Sequence, residues 1–304
     1  MRVLFLGTPD FAIPSLNAIV AAGYEVIGVI TQPDKEGKRL VMTPPAVKVE
    51  AEKLGLPVYQ FASLRKEGVE LVRSLAPDVM VTAAFGQILS RELLGIPKYG
   101  VFNVHGSLLP LYRGASPIQS CLLNGDTVTG VTIMRTAYEV DSGDIILKKE
   151  LPILPEDDAG ALFDKIASLG AEGIVEALKQ LQKGTITYTP QDSSKATFCK
   201  MIVKSDAEIT AKTTATKAFN MVRAYSPWPI AFVTIGGERL RIFVAAAAEK
   251  KGAAGSFYAD SGELYLNLTD GALRLVTVQA DGKKQMSGRE YLIGHRSVLE
   301  KTVE

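Results

Sequence analysis

Residues 2–30 read RVLFLGTPDFAIPSLNAIVAAGYEVIGVI, and the change of hydrophobic period inside them decides the fold class. Arg2–Leu6 is a short β-rich run that ends at Gly7. Phe11, Ile13, Leu16, Ile19 and Val20 then recur at roughly helical spacing up to Gly23, and Val26–Ile30 is the next apolar run. Pro14 falls in the first helical turn, where its missing N–H costs little. The same alternation continues through a helix at Ala46–Leu54 stopped by Gly55, a helix at Val69–Leu75 and a strand at Asp78–Ala83. It predicts an α/β domain, a mostly parallel sheet with helices on both faces and ligands at the carboxyl ends of its strands.

A nucleotide-binding glycine fingerprint is the natural thing to seek after the first strand. Gly7-Thr8-Pro9-Asp10-Phe11 offers one glycine and then a proline, which weakens an oxidoreductase reading. The chemistry points instead to Asn103-Val104-His105-Gly106-Ser107-Leu108-Leu109-Pro110. A strand sends alternate side chains to one face, so Asn103 and His105 project together from the end of the Val101–Val104 run. Asp141-Ser142-Gly143-Asp144, farther along, supplies a carboxylate able to orient or charge the imidazole. Amide, imidazole and carboxylate suit acyl-type transfer through an oxyanion. Taken alone, the same residues also fit a hydrogen-bonded structural histidine and a turn carboxylate before Gly143.

After the irregular stretch Pro190–Ala196 the pattern changes. Thr213–Tyr225 reads as a helix with Ala218, Met221, Val222 and Tyr225 on one side. Short β-like runs follow at Ile230–Ile235, Leu240–Val244, Leu264–Leu268 and Leu273–Val278, with turn signals at Gly236-Gly237, Gly262 and Asp270-Gly271. Strands at that spacing suggest a small barrel, and Ser287 with Glu290 forms a capping box for a closing helix. Division into residues 1–189, a linker at 190–204 and a second domain at 205–304 is expected, since 304 residues exceed one comfortable core. From Val203 onward there are 14 Lys and Arg against 11 Asp and Glu, while the rest of the chain balances at −2. Lys35-Glu36-Gly37-Lys38-Arg39 is the more pointed basic feature, a loop able to meet phosphates; Lys283-Lys284 is a weaker one. Cys121 and Cys199 lack a partner motif, so neither a disulfide framework nor a zinc site is indicated. No apolar run reaches the ~18 residues of a membrane span, and Met1–Leu6 is too short for a signal peptide, so a cytoplasmic protein is expected.

The segment after His105 continues through Tyr112-Arg113-Gly114-Ala115-Ser116-Pro117-Ile118-Gln119, and with it the chain resembles the folate-dependent formyltransferase family. Gly7–Phe11, Thr31-Gln32-Pro33-Asp34, Ala84–Leu89, Gly130-Val131-Thr132-Ile133-Met134 and Ser226-Pro227-Trp228-Pro229 extend the resemblance nearly end to end. It implies a Rossmann-like catalytic domain followed by an OB-like barrel that binds tRNA. It also implies Asn103, His105 and Asp141 as the catalytic trio. The formyl donor would be 10-formyltetrahydrofolate, with no metal, lying against Phe85, Gly86, Gln87, Ile88 and Leu89, against Ser107, Leu108, Leu109 and Pro110, and against the backbone between Arg135 and Asp141. The acceptor would be the α-amine of methionine esterified to initiator tRNA, with Phe11 receiving the methionine side chain and Lys35, Lys38, Arg39 and Arg113 contacting the substrate. A monomer is expected. On this reading Asn103 and His105 each donate to the oxyanion, and Asp141 keeps His105 protonated and is able to take the amine proton directly or through water.

Leu111 stands where many members place a basic residue, Glu139 where a small one is common, and Ala211 where a tryptophan is frequent. Two other readings share the scaffold. One is formyl transfer to a sugar-nucleotide amine, which the barrel-like tail and Ser226–Pro229 argue against. The other is a non-catalytic RNA-binding protein, which the joint presence of Asn103, His105 and Asp141 argues against.

Overall fold

The computed structural model describes residues 1–36 and 42–303. The chain begins with β1 (Arg2–Gly7), a 3-10 turn at Asp10–Ala12, α1 (Ile13–Ala21), β2 (Glu25–Thr31) and the short antiparallel pair β3 (Lys35–Glu36) and β4 (Met42–Thr43). It continues through α2 (Ala46–Lys53), β5 (Val58–Gln60), α3 (Leu64–Glu67), α4 (Val69–Leu75), β6 (Val79–Ala83), α5 (Arg91–Gly95) and β7 (Val101–His105). Then come β8 (Arg113–Gly114), α6 (Pro117–Asn124), β9 (Val128–Arg135), β10 (Ile145–Pro152), the 25-residue α7 (Ala159–Lys183) and β11 (Phe198–Cys199).

Seven of these strands form one sheet in the order β10-β9-β7-β6-β1-β2-β5. The five from β7 through β5 run parallel, β9 pairs antiparallel with β7, and β10 pairs antiparallel with β9. Val3, Leu4, Phe5 and Leu6 of β1 are all fully buried, as expected of a strand covered on both faces. Burying each such side chain contributes roughly 1.5–3 kcal/mol. The sheet crosses over at β1, where successive strands are laid first toward β2 and then toward β6, so its ligand crevice lies at the ends of β1, β6 and β7. Asn103 and His105 sit at that end of β7.

The C-terminal part holds α8 (Ala215–Ala224), β12 (Phe232–Ile235), β13 (Glu238–Ala248), β14 (Phe257–Asp260), β15 (Glu263–Asn267), β16 (Ala272–Ala280), β17 (Met286–Ser287) and α9 (Gly288–Gly294). The strands form an OB-like antiparallel sheet, β12-β13-β16-β15-β14 with β17 added to β16. Register breaks in β13 at Ile242, Val244 and Ala245 bend this long strand as bulges do. Ser287 and Glu290 make the reciprocal capping box at the start of α9. Neither β14, nor α7, nor the antiparallel pair β9–β10 is apparent in the sequence.

The chain folds as two compact units that interleave along the sequence. One comprises Met1–Gly114, Val128–Pro152 and Phe163–Cys199; the other Ala115–Thr127, Ile153–Leu162 and Lys200–Glu304. This differs from division at 189 and 204 for a physical reason. Helix α6 packs on α8, with Leu123 against the C-terminal core, and Arg223 of α8 donates to the carbonyls of Asp157 and Leu154, each at 2.8 Å. Deleting everything after Val203 would therefore strip two upstream segments of their packing partners.

Candidate active site

The side chains of Asn103 and His105 leave β7 on the same face, opposite Thr82 of β6 and Thr132 of β9 respectively. Thr82 Oγ1 donates to Asn103 Oδ1 at 2.7 Å, which identifies the oxygen end of the amide. Asn103 Nδ2 has no protein acceptor among the described residues and is left as a donor at the strand end.

His105 is buried, and its Nε2 lies 3.0 Å from the carbonyl oxygen of Tyr112. A carbonyl only accepts, so Nε2 carries the proton and the other ring nitrogen is the free edge. That edge, Nδ1, faces Asp141 Oδ2 at 3.6 Å, too long for a hydrogen bond but close enough for charge attraction once the ring is protonated. Burial holds the His105 pKa below the ordinary histidine value of 6.5, and the opposing pull of the Asp141 charge and the Tyr112 carbonyl does not overcome it. Burial thus favours the neutral ring, where the resemblance implied a protonated one. Desolvation of the cation outweighs one carboxylate that is itself partly solvated.

This has a direct test. His105 and His295 are the two histidines of the chain, so an NMR titration with a His295→Gln variant for assignment reads His105 alone. Its midpoint should lie below 6.5, and activity should fall as pH drops through it, because the neutral ring is the proton-accepting form. A midpoint above 6.5 would contradict the burial argument.

Asp141 reaches His105 because the loop after β9 folds back. Asp141 has φ +49°, in the left-handed region, and its Oδ2 accepts the Gly114 N–H at 2.8 Å. A Cβ on Gly143 would sit 1.7 Å from the Arg135 carbonyl oxygen, so only glycine allows the loop to close this tightly. The same loop lines a cavity of about 500 Å³. Arg135, Thr136 and Ala137 on one side and Ser142, Gly143 and Asp144 on the other face α5 and the start of β7. Its size is that of a small-molecule site.

The formyl transferase family model matches residues 1–178, and that of the formyl transferase C-terminal domain matches residues 201–296. The chain belongs to the formyl transferase family. Methionyl-tRNA formyltransferase of Geobacter metallireducens is 41% identical over 299 residues, covering 97% of this chain and 96% of that protein. The protein of the same name from Listeria monocytogenes is 41% identical over 306 residues, covering 99% and 98%. Among solved structures, an N-formyltransferase from Helicobacter canadensis with folinic acid and dTDP-3-aminofucose superposes with a TM-score of 0.71 at 19% identity, covering 92% of this chain and 99% of that one. HypX from Aquifex aeolicus with tetrahydrofolic acid gives 0.64 at 16% identity, covering 98% of this chain and 47% of that one. At those identities the likeness is one of fold.

Other residues singled out in the sequence of this formyl transferase are dispersed by the structure. Phe85 and Leu89 are buried in the core, Gln87 bonds the Leu64 N–H and the Phe61 carbonyl, and Ile88 is exposed. Gly86 has φ +78° beside the Gln32 amide. Ser107 donates to the Leu111 carbonyl, Leu109 packs with Met134 and Ile145, Leu108 lies close to Gly130, and the Pro110 carbonyl accepts from the Thr197 N–H. None of these nine residues lines the cavity, whereas the backbone from Arg135 does. Phe11 meets Phe163 edge to face at 6.0 Å, and Lys35 is exposed and donates to Gln32. Lys38 and Arg39 lie outside the described residues. Arg113 is buried at 5% exposure and donates to Gln191 instead of facing solvent. Glu139 and Leu111 are exposed, and Ala211 packs beside the C-terminal core. Thr82, Tyr112, Gln191 and Thr197 carry no signal in the sequence, since each acts through partners far along the chain.

Proposed function

We propose that this chain moves the formyl group of 10-formyltetrahydrofolate to the α-amine of methionyl initiator tRNA, giving formylmethionyl-tRNA and tetrahydrofolate. The observation that carries this reading is identity of about 41% to methionyl-tRNA formyltransferases across both units, with almost no part of either chain left over. The folate heterocycle is assigned to the cavity lined by Arg135–Ala137 and Ser142–Asp144, whose residues flank Asp141 in the chain.

The neutral amine attacks the formyl carbon, a C–N bond forms and the carbonyl oxygen becomes an oxyanion. Asn103 Nδ2 donates to that oxyanion, held in the donating orientation by Thr82. One such donor is worth ~3–4 kcal/mol in the transition state. The proton shed by the amine goes to His105 Nδ1, directly or through water, and the imidazolium so formed lies between the Tyr112 carbonyl and the Asp141 carboxylate. His105 returns that proton to the folate nitrogen as the carbon–nitrogen bond to the donor breaks. His105 thus acts first as base and then as acid, which requires the neutral resting state that burial provides.

Phe11 and Lys35 are assigned to the acceptor side, with Lys38 and Arg39, and the C-terminal sheet to the tRNA. A monomer working in the cytoplasm completes the reading. Formylation assays with methionyl initiator tRNA and with aminosugar nucleotides test it. Formylation of the sugar amine with the tRNA left untouched would replace it with the sugar-nucleotide alternative.

The basic loop gives a second measurable outcome. Lys38→Ala with Arg39→Ala should raise KM for tRNA with kcat retained. It should also flatten the dependence of log affinity on log salt by about two units, roughly one for each phosphate no longer neutralised. An unchanged slope would mean that the acceptor stem is held elsewhere.

A further inference from the structure

Gln191 lies in the Ser-, Asp- and Lys-rich stretch that reads as a linker, yet every hydrogen-bonding capacity of its amide is used inside the catalytic unit. Nε2 donates to the Asp141 carbonyl at 2.9 Å and to the Gly143 carbonyl at 2.7 Å. Oε1 accepts from Arg113 Nε at 3.1 Å and Nη2 at 2.9 Å. A guanidinium can only donate, so the orientation of the amide is unambiguous. Arg113 is itself buried and fixed by its main chain, whose N–H donates to the Thr197 carbonyl at 2.9 Å and which pairs with Phe198 in β11. Its two neighbours touch the catalytic pair: the Tyr112 carbonyl accepts from His105 Nε2, and the Gly114 N–H donates to Asp141 Oδ2.

A chain of contacts therefore runs from His105 through Tyr112, Arg113 and Gln191 to Asp141, and its two ends face each other across the 3.6 Å between His105 Nδ1 and Asp141 Oδ2. We propose that Gln191, locked by Arg113, is a positioning residue that clamps the Asp141–Gly143 turn and so sets the spacing of the His105–Asp141 pair. The turn needs a clamp: Asp141 is held in the left-handed region, where a non-glycine residue is unfavourable, and Val140 before it is exposed. Two carbonyls bound by one amide fix the turn at Asp141 itself and two residues beyond it. This makes the 184–199 segment part of the catalytic machinery of the formyl transferase.

The inference rests on the proposed role of Asp141, and the test separates the two. Gln191→Glu keeps the shape and keeps a partner for Arg113, but a carboxylate has no proton to give, so the turn is released while the fold stays. In the full-length protein, kcat should fall about 10- to 100-fold, since displacement of a catalytic group by an ångström costs that much. KM for tRNA should stay within about threefold, and in Gln191→Met, which adds no charge to the site, the His105 NMR midpoint should fall, because the Asp141 charge that opposes burial moves away. The rate of Gln191→Met, which also lacks donors, should fall alike, with thermal midpoints near wild type for at least one of the two.

The decisive readout is the combination with Asp141→Asn. A clamp that works through Asp141 adds little to a chain already lacking that carboxylate, so the double variant should match Asp141→Asn alone. Multiplicative losses, or a Gln191→Glu rate within threefold of wild type with an unmoved His105 midpoint in Gln191→Met, overturn the proposal. If Asp141→Asn is itself fully active, the reading of the trio fails first.

Discussion

Asn103→Ala should lower kcat by ~100- to 1000-fold while KM for both substrates changes little, and His105→Ala should cost at least ~100-fold. The amide donor is used only once charge has moved onto the formyl oxygen, so its loss is felt in the transition state and hardly at all in the ground state. The fold should survive. Removing Asn103 leaves Thr82 Oγ1 with a second acceptor, the Phe102 carbonyl at 3.3 Å, so no hydroxyl is orphaned in the sheet. Removing His105 leaves the Tyr112 carbonyl without its ring donor, and some loss of thermal stability accompanies the loss of rate. Single-turnover formylation with both substrates saturating isolates the chemical step. Rates within threefold of wild type would remove the residue in question from the mechanism.

The second large effect belongs to Asp141→Asn, for which a loss of at least ~100-fold is expected, the low end of what a general acid–base assembly contributes. The amide oxygen of asparagine can still accept the Gly114 N–H, so the loop should keep its course. What disappears is the negative charge facing His105 Nδ1, the main influence opposing desolvation of the ring. The imidazolium that the proposed proton transfer forms then has no counter-charge in a buried site, and the His105 titration midpoint should drop further below 6.5. Activity retained in full, or an upward shift of that midpoint, would show that Asp141 neither stabilises the imidazolium nor takes part in proton transfer.

The elements of the parallel sheet were legible because their signals are local. Arg2–Leu6 and Val26–Ile30 became β1 and β2, Val69–Leu75 became α4, and Thr213–Tyr225 contains α8. The helix expected from Phe11 onward is split, with a 3-10 turn at Asp10–Ala12 before α1 begins at Ile13 and Pro14 in its first turn. Leu240–Val244 is the middle of the longer bulged strand β13, whose Ala245–Ala248 end carries no β-like signal of its own and is held by pairing with β16. Strand β14, with Tyr258 stacked on Tyr265 at 4.6 Å, is likewise made by its neighbour β15.

Within the site, the sequence alone determined that Asn103 and His105 share a face, because the two-residue period of a strand is a property of the backbone and needs no partner. It determined equally that the fold alternates strand and helix, and that Ser287 caps a helix, since these depend on neighbours a few residues away. The tertiary structure decided everything that depends on approach across long stretches of chain. It brought Asp141 within 3.6 Å of His105, turned Arg113 inward to Gln191, and set α6 against α8 in the C-terminal unit. It also decided the charge on the ring. Sequence supplies a histidine and a carboxylate; which protonation state wins is a balance between desolvation and Coulomb attraction, and that balance exists only once the chain has packed around them.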